Sequence, residues 1–466
     1  MDRAVEQQLS GWPQGHGRLA NSGAIDGTAY LGSNSATTSV TNGGTINSLT
    51  VEGSSLGNQS ITLANSGRIG TDALGATALS IASVALSAEQ QRTGFDPATG
   101  PVEGGPTASV IVTNWGVLSA DGGARYRLDT LNYGPFYPPY TLERLDLVSA
   151  LNIDASSGGL SSIAVTNEAG GLISATGATR DESVAGSPVL TGMETIGSTA
   201  FIGSANRITL VNAGTIRGVE GGIVPTSLSV GPVGEFIAGA IQTFNSADTI
   251  TNLASGVISG SVDLGARDDQ MANYGVINGN VYLGEGDDCF THGLGATLNG
   301  IVDGGAGSDA LTIDITGGGL LDQATLDMFV SFESQSIIGN GTITTNGPLN
   351  VDSLILRDAQ LTLGARQTLQ TMSDTSIVFA EGTNSLINLG TIKGGLLCGR
   401  YEQRRQSGQH RRAGHAGRRQ QQLHHWRWFF GKRTSHRQWQ RRPADPSDGR
   451  HRRRAAGAAP RWVHRV

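Results

Sequence analysis

Asp269, Asp288 and Asp309 are the residues of this chain whose types and spacing suggest chemistry. They stand 19 and 21 residues apart. Each closes a glycine-rich acidic turn: Gly265-Ala-Arg-Asp-Asp269, Gly284-Glu-Gly-Asp-Asp288 and Gly304-Gly-Ala-Gly-Ser-Asp309. The stretch Gly304–Thr312 fits the nonapeptide Gly-Gly-x-Gly-x-Asp-x-apolar-x residue for residue. In stacked turns that pattern holds calcium through carboxylates and backbone carbonyls. Asp269, Asp288 and Asp309 are therefore the candidate calcium ligands. No other cofactor is expected. Carboxylates ~5 Å apart repel by ~1 kcal/mol in bulk water, which a cation would relieve. The plainer reading is an acidic turn whose side chains splay into solvent, because calcium-binding tandems repeat every nine residues and this chain has one complete copy.

Catalytic groupings are not visible. Arg267 beside Asp268 and Asp269 comes closest to the acid–base clusters of carbohydrate-active β-helices, and a surface ion pair accounts for it more simply. His16 and His292 are isolated and read as loop or corner residues. Cys289 and Cys398 lack metal-type spacing. With no nucleophile–base pairing and no P-loop, an enzyme is not expected.

The elements that position the acidic turns follow from a period. Asn252, Gly256, Ile258 and Gly260 recur as Asn273, Gly275, Ile277 and Gly279, then as Gly295, Leu298 and Gly300. Related Asn-Gly elements start at Asn21, Asn42, Asn65, Asn114, Asn167, Asn212 and Asn388. A repeat near 20 residues is too short to bury a core alone, so its copies must stack. Period-two patterning of β-branched residues marks short strands. The predicted fold is all-β, a parallel β-helix over 15–398 with few helices. In such a coil Gly turns tight corners, Asn tolerates left-handed backbone, and stacked amides bond from coil to coil. Steps of 49, 53, 45 and 40 residues between later Asn positions read as nearly two coils each. About 15 coils at the ~4.8 Å strand spacing would span roughly 70 Å.

Composition agrees. Gly makes up 68 of 466 residues, with 5% aromatic and 15% charged residues, which suits a thin stacked core better than a thick globular one. No apolar run is long enough to cross a membrane as a helix. Residues 1–14 are read as an unstructured start without a signal peptide. Since a repeat already stands at Asn21, an N-terminally truncated gene product is expected.

Two insertions interrupt the period. Residues 87–107 are Pro- and Gly-rich and read as an exposed loop. Residues 121–146 gather Tyr126, Tyr133, Tyr137 and Tyr140 with Phe136. They read as a self-packed surface loop, with aromatic contact to a sugar or a partner protein as the functional alternative.

From Arg400 to Val466 the chain holds 19 Lys and Arg against 3 Asp and Glu, a balance of +16. The remaining residues carry 14 against 36, or −22, and the two sum to the overall −6. Residues 399–466 are read as a basic tail without a fold, produced by a frameshift that interrupts the coil begun at Asn388. A nucleic-acid partner is not expected, although basic residues interleaved with Trp426, Trp428, Phe429 and Phe430 would ordinarily invite one.

The Asn252–Leu311 triplet, followed by Gly317-Gly318-Gly319, Phe332-Glu333, Ile338–Thr342 and Leu354-Ile355-Leu356, resembles the passenger of a bacterial autotransporter. The resemblance covers about residues 15–398. It implies a structural or adhesive protein, on the surface of a Gram-negative cell or secreted, that meets a protein or glycan of a host or neighbouring cell. The outer-membrane β-barrel that carries such passengers out would show alternating strands of ~10 residues. No such pattern follows here, and a shifted frame at Gly399 accounts for its loss. The alternatives are a calcium-binding secreted protein of the repeats-in-toxin type and a carbohydrate-active β-helix enzyme.

Overall fold

A computed structural model of the chain describes residues 17–397, except 74–75, 87–104, 123–124, 132–139, 147, 158–159, 177–179, 182–197, 220–238, 340–341, 346–348, 352–353, 372–376, 381–382 and 395, together with 409–411. These residues lie in one compact unit spanning 1–430; a second unit, 431–466, falls outside the described residues.

Within a coil the chain makes three short strands separated by corners. The coil carrying the first acidic turn runs Ala247–Asn252, then Val257–Ser259, then Val262–Asp263. The next repeats this as Gln270–Asn273, Val276–Asn278 and Val281–Tyr282. Each strand pairs in parallel with its counterpart one coil away. The first face becomes a 14-stranded sheet, and the second and third faces merge into one of 17 strands. They merge because early coils turn the second corner without breaking the strand: Thr45–Leu56 pairs with both Arg68–Thr71 and Leu79–Leu86. The fold is a parallel β-helix, as the period implies. Among the described residues the one helix is the four-residue turn Gln323–Leu326, capped by the Asp322 side chain accepting from Thr325 N–H at 3.0 Å.

Register makes the core. One inward column on the second face runs from Ile46 through Ile69, Leu118, Ile173, Ile216, Ile258 and Ile277 to Leu298. All are buried. Removing each such side chain from water stabilises by about 1.5–3 kcal/mol, and a one-residue slip would turn the whole column outward.

The Asn positions form a continuous ladder. The side-chain amide of Asn21 donates to Asn42 Oδ1, Asn42 to Asn65, Asn65 to Asn114, Asn114 to Asn167, Asn167 to Asn212, and Asn212 to Asn252, each at 2.8 Å. Asn252 donates to Asn273 at 2.9 Å. The long sequence steps are therefore single coils carrying excursions, not pairs of coils, since only neighbouring coils bring two side-chain amides this close.

Insertion 121–146 is more ordered than a loop: Arg125–Leu131 and Tyr140–Asp146 pair antiparallel, and the first also pairs in parallel with Arg180–Asp181. Tyr133, Phe136 and Tyr137 lie outside the described residues, as does 87–104. Beyond Gly399, Gln409–Arg411 adds one parallel strand to Thr391–Lys393; the rest of the basic tail is outside the described residues.

Candidate functional site: the acidic corner

Three acidic turns stack where the third face meets the first. Backbone bridges join Ala266 to Glu285 and Glu285 to Ala306. Gly265, Gly284 and Gly305 adopt φ of 85°, 111° and 95°. A Cβ on Gly284 would stand 1.9 Å from the carbonyl oxygen of Gly265, so the corner admits no side chain there. Arg267, with φ of 88°, takes the place that Gly286 and Gly307 hold in the following coils.

The next residue pair sets the chemistry. Strand residues i, i+2 and i+4 share one side of a sheet. Asp248, Ile250 and Asn252 therefore point inward together, as do Asp269, Met271 and Asn273, then Asp288, Phe290 and His292. The spacing places Asp269, Asp288 and Asp309 on one corner of three successive coils, as expected, but the solvated reading is corrected. Asp248, Asp269, Asp288 and Asp309 are all at most 1% exposed. They are buried because the period-two face, rather than the polarity of the side chain, decides which way each one points.

Each carboxylate holds the coil before it. Asp248 N–H donates to Asp269 Oδ1 at 2.7 Å, Asp269 N–H to Asp288 Oδ1 at 2.7 Å, and Asp288 N–H to Asp309 Oδ1 at 2.8 Å. Asp309 N–H donates to Glu333 Oε2 at 2.6 Å, which ends the row. The second oxygens, Asp248 Oδ1 and Oδ2 of Asp269, Asp288 and Asp309, are buried without a hydrogen-bond partner. A second, exposed row runs the other way: Asp287 N–H donates to Asp268 Oδ1 at 2.9 Å and Ser308 N–H to Asp287 Oδ1 at 3.0 Å.

Burial dominates the electrostatics and opposes the charged form. It pushes the Asp269 carboxyl up to about 8, with Asp248, Asp288 and Asp268 adding repulsion against the backbone hydrogen bond. Asp288 is pushed up to about 6 for the same reason, with Asp309, Asp268 and Asp287 as repelling neighbours. Asp248 and Asp309 shift upward too, again chiefly through burial. The exposed thiol of Cys289, on the outer side of the same strand, is raised by burial and by Asp288.

As calcium ligands the three carboxylates do not converge. One oxygen of each is committed to a backbone N–H, and no group of three His, Cys, Asp or Glu among the described residues is arranged to hold a metal ion. Calcium takes six to eight oxygens. The arrangement is a set of acceptors that tie coil to coil.

Other expectations are revised. Arg267 Nε donates to Asn245 Oδ1 at 2.9 Å. The ion pair found among the described residues is Arg68–Asp72 at 3.9 Å. His292 is not a corner residue: it is 2% exposed and takes the ladder position after Asn273, with its ring 5.4 Å from that of Phe329. Burial lowers its imidazole to about 4, and Nδ1 has no partner. His16 and Cys398 lie outside the described residues.

The sequence reading missed Asp248 and Glu333 at the ends of the row. A signal for Asp248 was present. Asp-x-apolar-x-Asn occurs at Asp248–Asn252 and Asp269–Asn273, and with His292 in the last place at Asp288. Glu333 carries no such pattern: it stands opposite Asp309, one residue before the strand Ser334–Ile338, but the inward positions after it are Gln335 and Ile337 instead of an apolar residue and Asn. Comparison with protein families, with curated proteins and with solved structures finds no match to any of the three.

Proposed function

We propose that this chain is the β-helical passenger of a bacterial autotransporter, structural or adhesive rather than catalytic, displayed at or released from a Gram-negative cell surface. The observation that carries this reading is the in-register first face of 14 strands, pinned on the inner side of its first eight by the Asn ladder. Its outer side repeats small hydroxyl side chains in register, with Thr113 beside Thr166 and Thr291 beside Thr312. A regular face of this kind suits contact with an extended protein or glycan surface. The partner is a host or neighbouring cell, and nucleic acid is not involved. Export of such a passenger would use an outer-membrane β-barrel.

Protease shaving of intact producing cells tests the reading, with an antibody against the chain as probe. Loss of signal from unbroken cells supports surface display. A signal that appears only after lysis overturns it. The repeats-in-toxin alternative rests on Gly304–Thr312, whose Gly305 and Gly307 adopt φ of 95° and 151°, and thermal unfolding of the full chain in chelator and again in calcium chloride addresses it: a shift of tens of degrees would favour that alternative.

A further inference from the structure

We propose that Asn299 is a site of spontaneous modification: its side chain closes on the backbone nitrogen of Gly300, sheds ammonia, and leaves an acidic residue at the end of an outer amide row on the second face.

The row is short and lies on the outer side of the coils. Asn299 Nδ2 donates to Asn278 Oδ1 at 2.7 Å, and Asn278 Nδ2 donates to Ser259 Oγ at 3.4 Å. The three residues share one register position in successive coils. Asn278 and Asn299 are each followed by Gly, as is Asn42 on the inner ladder, and these are the Asn-Gly pairs among the described residues. An Asn before Gly closes most readily, because no Cβ on the next residue obstructs its nitrogen. The nitrogen must still be free, and the carboxamide open to water.

Hydrogen bonding separates the three pairs. Gly43 N–H donates to the carbonyl of Asn21 at 2.7 Å, and Asn42 is fully buried. Gly279 N–H donates to the carbonyl of Asn299 at 3.1 Å. Gly300 N–H has no acceptor among the described residues. The reason is where the second face stops. Thr297–Asn299 pairs with Val276–Asn278 behind it. In the coil ahead, Gly319–Leu321 pairs onward with Thr342–Thr345 and runs into the helical turn Gln323–Leu326. The carbonyl that would receive the Gly300 N–H is not supplied. Asn299 is also exposed, so the nucleophile is free and the electrophile is wet at this one pair.

The step needs no partner but water. Gly300 N attacks Asn299 Cγ, the bond from Cγ to the side-chain nitrogen breaks, and that nitrogen leaves as ammonia with the Gly300 proton. Water then opens the cyclic imide at either carbonyl. One opening gives Asp; the other gives its isomer, in which the backbone runs through the former side-chain carbonyl.

The geometry also sets an order of events. The carbonyl that restrains Gly279 belongs to Asn299 itself. The isomeric product lengthens the backbone at that point, and either product takes the amide donor away from Asn278 Oδ1. Gly279 N–H is thereby released, and Asn278 becomes the second site. Ser259 has no carboxamide, so the series stops there.

The test incubates the full chain at pH 8, folded and in denaturant, and follows Asp and isomeric Asp at each Asn by peptide mass spectrometry. In denaturant the three Asn-Gly pairs should convert at similar rates. In the folded chain Asn299 should convert at least about tenfold faster than Asn278 or Asn42, the rate equivalent of freeing one backbone hydrogen bond. Altered Asn278 should occur only in peptides already altered at Asn299. Asn299→Gln keeps an amide that closes far more slowly, and should silence both positions. If that variant does not fold, the order of events in the unaltered chain decides the same point. Equal folded rates at Asn278 and Asn299 overturn the proposal. So does a folded chain that stays unaltered at Asn299 while the denatured chain converts, or Asn278 converting unabated in Asn299→Gln. None of these outcomes depends on where the protein resides.

Discussion

Ile208 and Asp248 occupy the same inward position in neighbouring coils. Above this step the column reads Ile61, Val110, Ile163 and Ile208; below it, Asp248, Asp269, Asp288 and Asp309. One structural slot is filled by hydrocarbon in four successive coils and by carboxyls in the next four. The backbone is indifferent to the exchange, because the strands on either side pair in unbroken register.

That relationship predicts that the chain accepts its own alternative. Asp248→Ile should leave stability at pH 7 unchanged or raise it by about 1–4 kcal/mol, as when buried ionisable groups give way to well-packed apolar ones. Ile258→Ala, in the inward column of the second face, should cost about 2–5 kcal/mol by leaving a cavity. Chemical unfolding of the two variants side by side decides this. A loss at Asp248→Ile as large as that at Ile258→Ala would mean that the carboxyl supplies an interaction the apolar slot cannot replace.

The contrast also shows what was legible in the sequence. The coil period, the Ile258–Ile277–Leu298 stack and the common corner of Asp269, Asp288 and Asp309 all follow from spacing, because register converts spacing directly into contact. The direction of the acidic side chains did not follow, since polarity was weighed above the two-residue alternation that turns them inward. Nor did the long Asn steps: residues between Asn65 and Asn114 leave the stack and return, and a count of residues cannot separate an excursion from an extra coil.

The Asn ladder should be sensitive to truncation at its centre. Asn167 accepts from Asn114 and donates to Asn212 at 2.8 Å, with the carbonyls of Gly171 and Thr215 also within reach. Asn167→Ala strands the side-chain oxygen of Asn212 in a buried column and leaves the Asn114 amide only the carbonyls of Gly116 and Leu172 at 3.2 Å, which costs about 1–3 kcal/mol. Amide exchange should rise first in the strands flanking Asn167. Uniform protection there, equal to the unaltered chain, would show that the ladder decorates the corner without holding it.

Glycines at the acidic corner should differ from glycines at open turns. Gly284 has φ of 111°, and a Cβ there would press on the Gly265 backbone; Gly295 has nothing within 4 Å. Gly284→Ala should cost about 2–4 kcal/mol through strain and forced separation of coils. Gly295→Ala should stay within about 0.5 kcal/mol of the unaltered chain. Equal melting points for the two would contradict the tight stacking of the turns.

His292 sets a limit on the acid side. Its imidazole is buried and lowered to about 4, so the unfolded chain takes up a proton near pH 6.5 that the folded chain refuses. The contribution of His292 is whole above about pH 6.5 and lost as pH falls toward 4, the reverse of the carboxyl row. The ladder bond ends here as well: Asn273 donates to the carbonyl of Thr297 at 3.3 Å, and His292 Nδ1 stays unpartnered. His292→Asn would give Asn273 the acceptor that the seven earlier steps enjoy and remove the titrating group, at the loss of ring contact with Phe329. Its melting point should therefore fall less than that of the unaltered chain between pH 6.5 and 4, whatever its value at pH 7. If the two profiles run parallel through that range, the imidazole is not what weakens the folded chain in acid, and the cause must be sought among other groups.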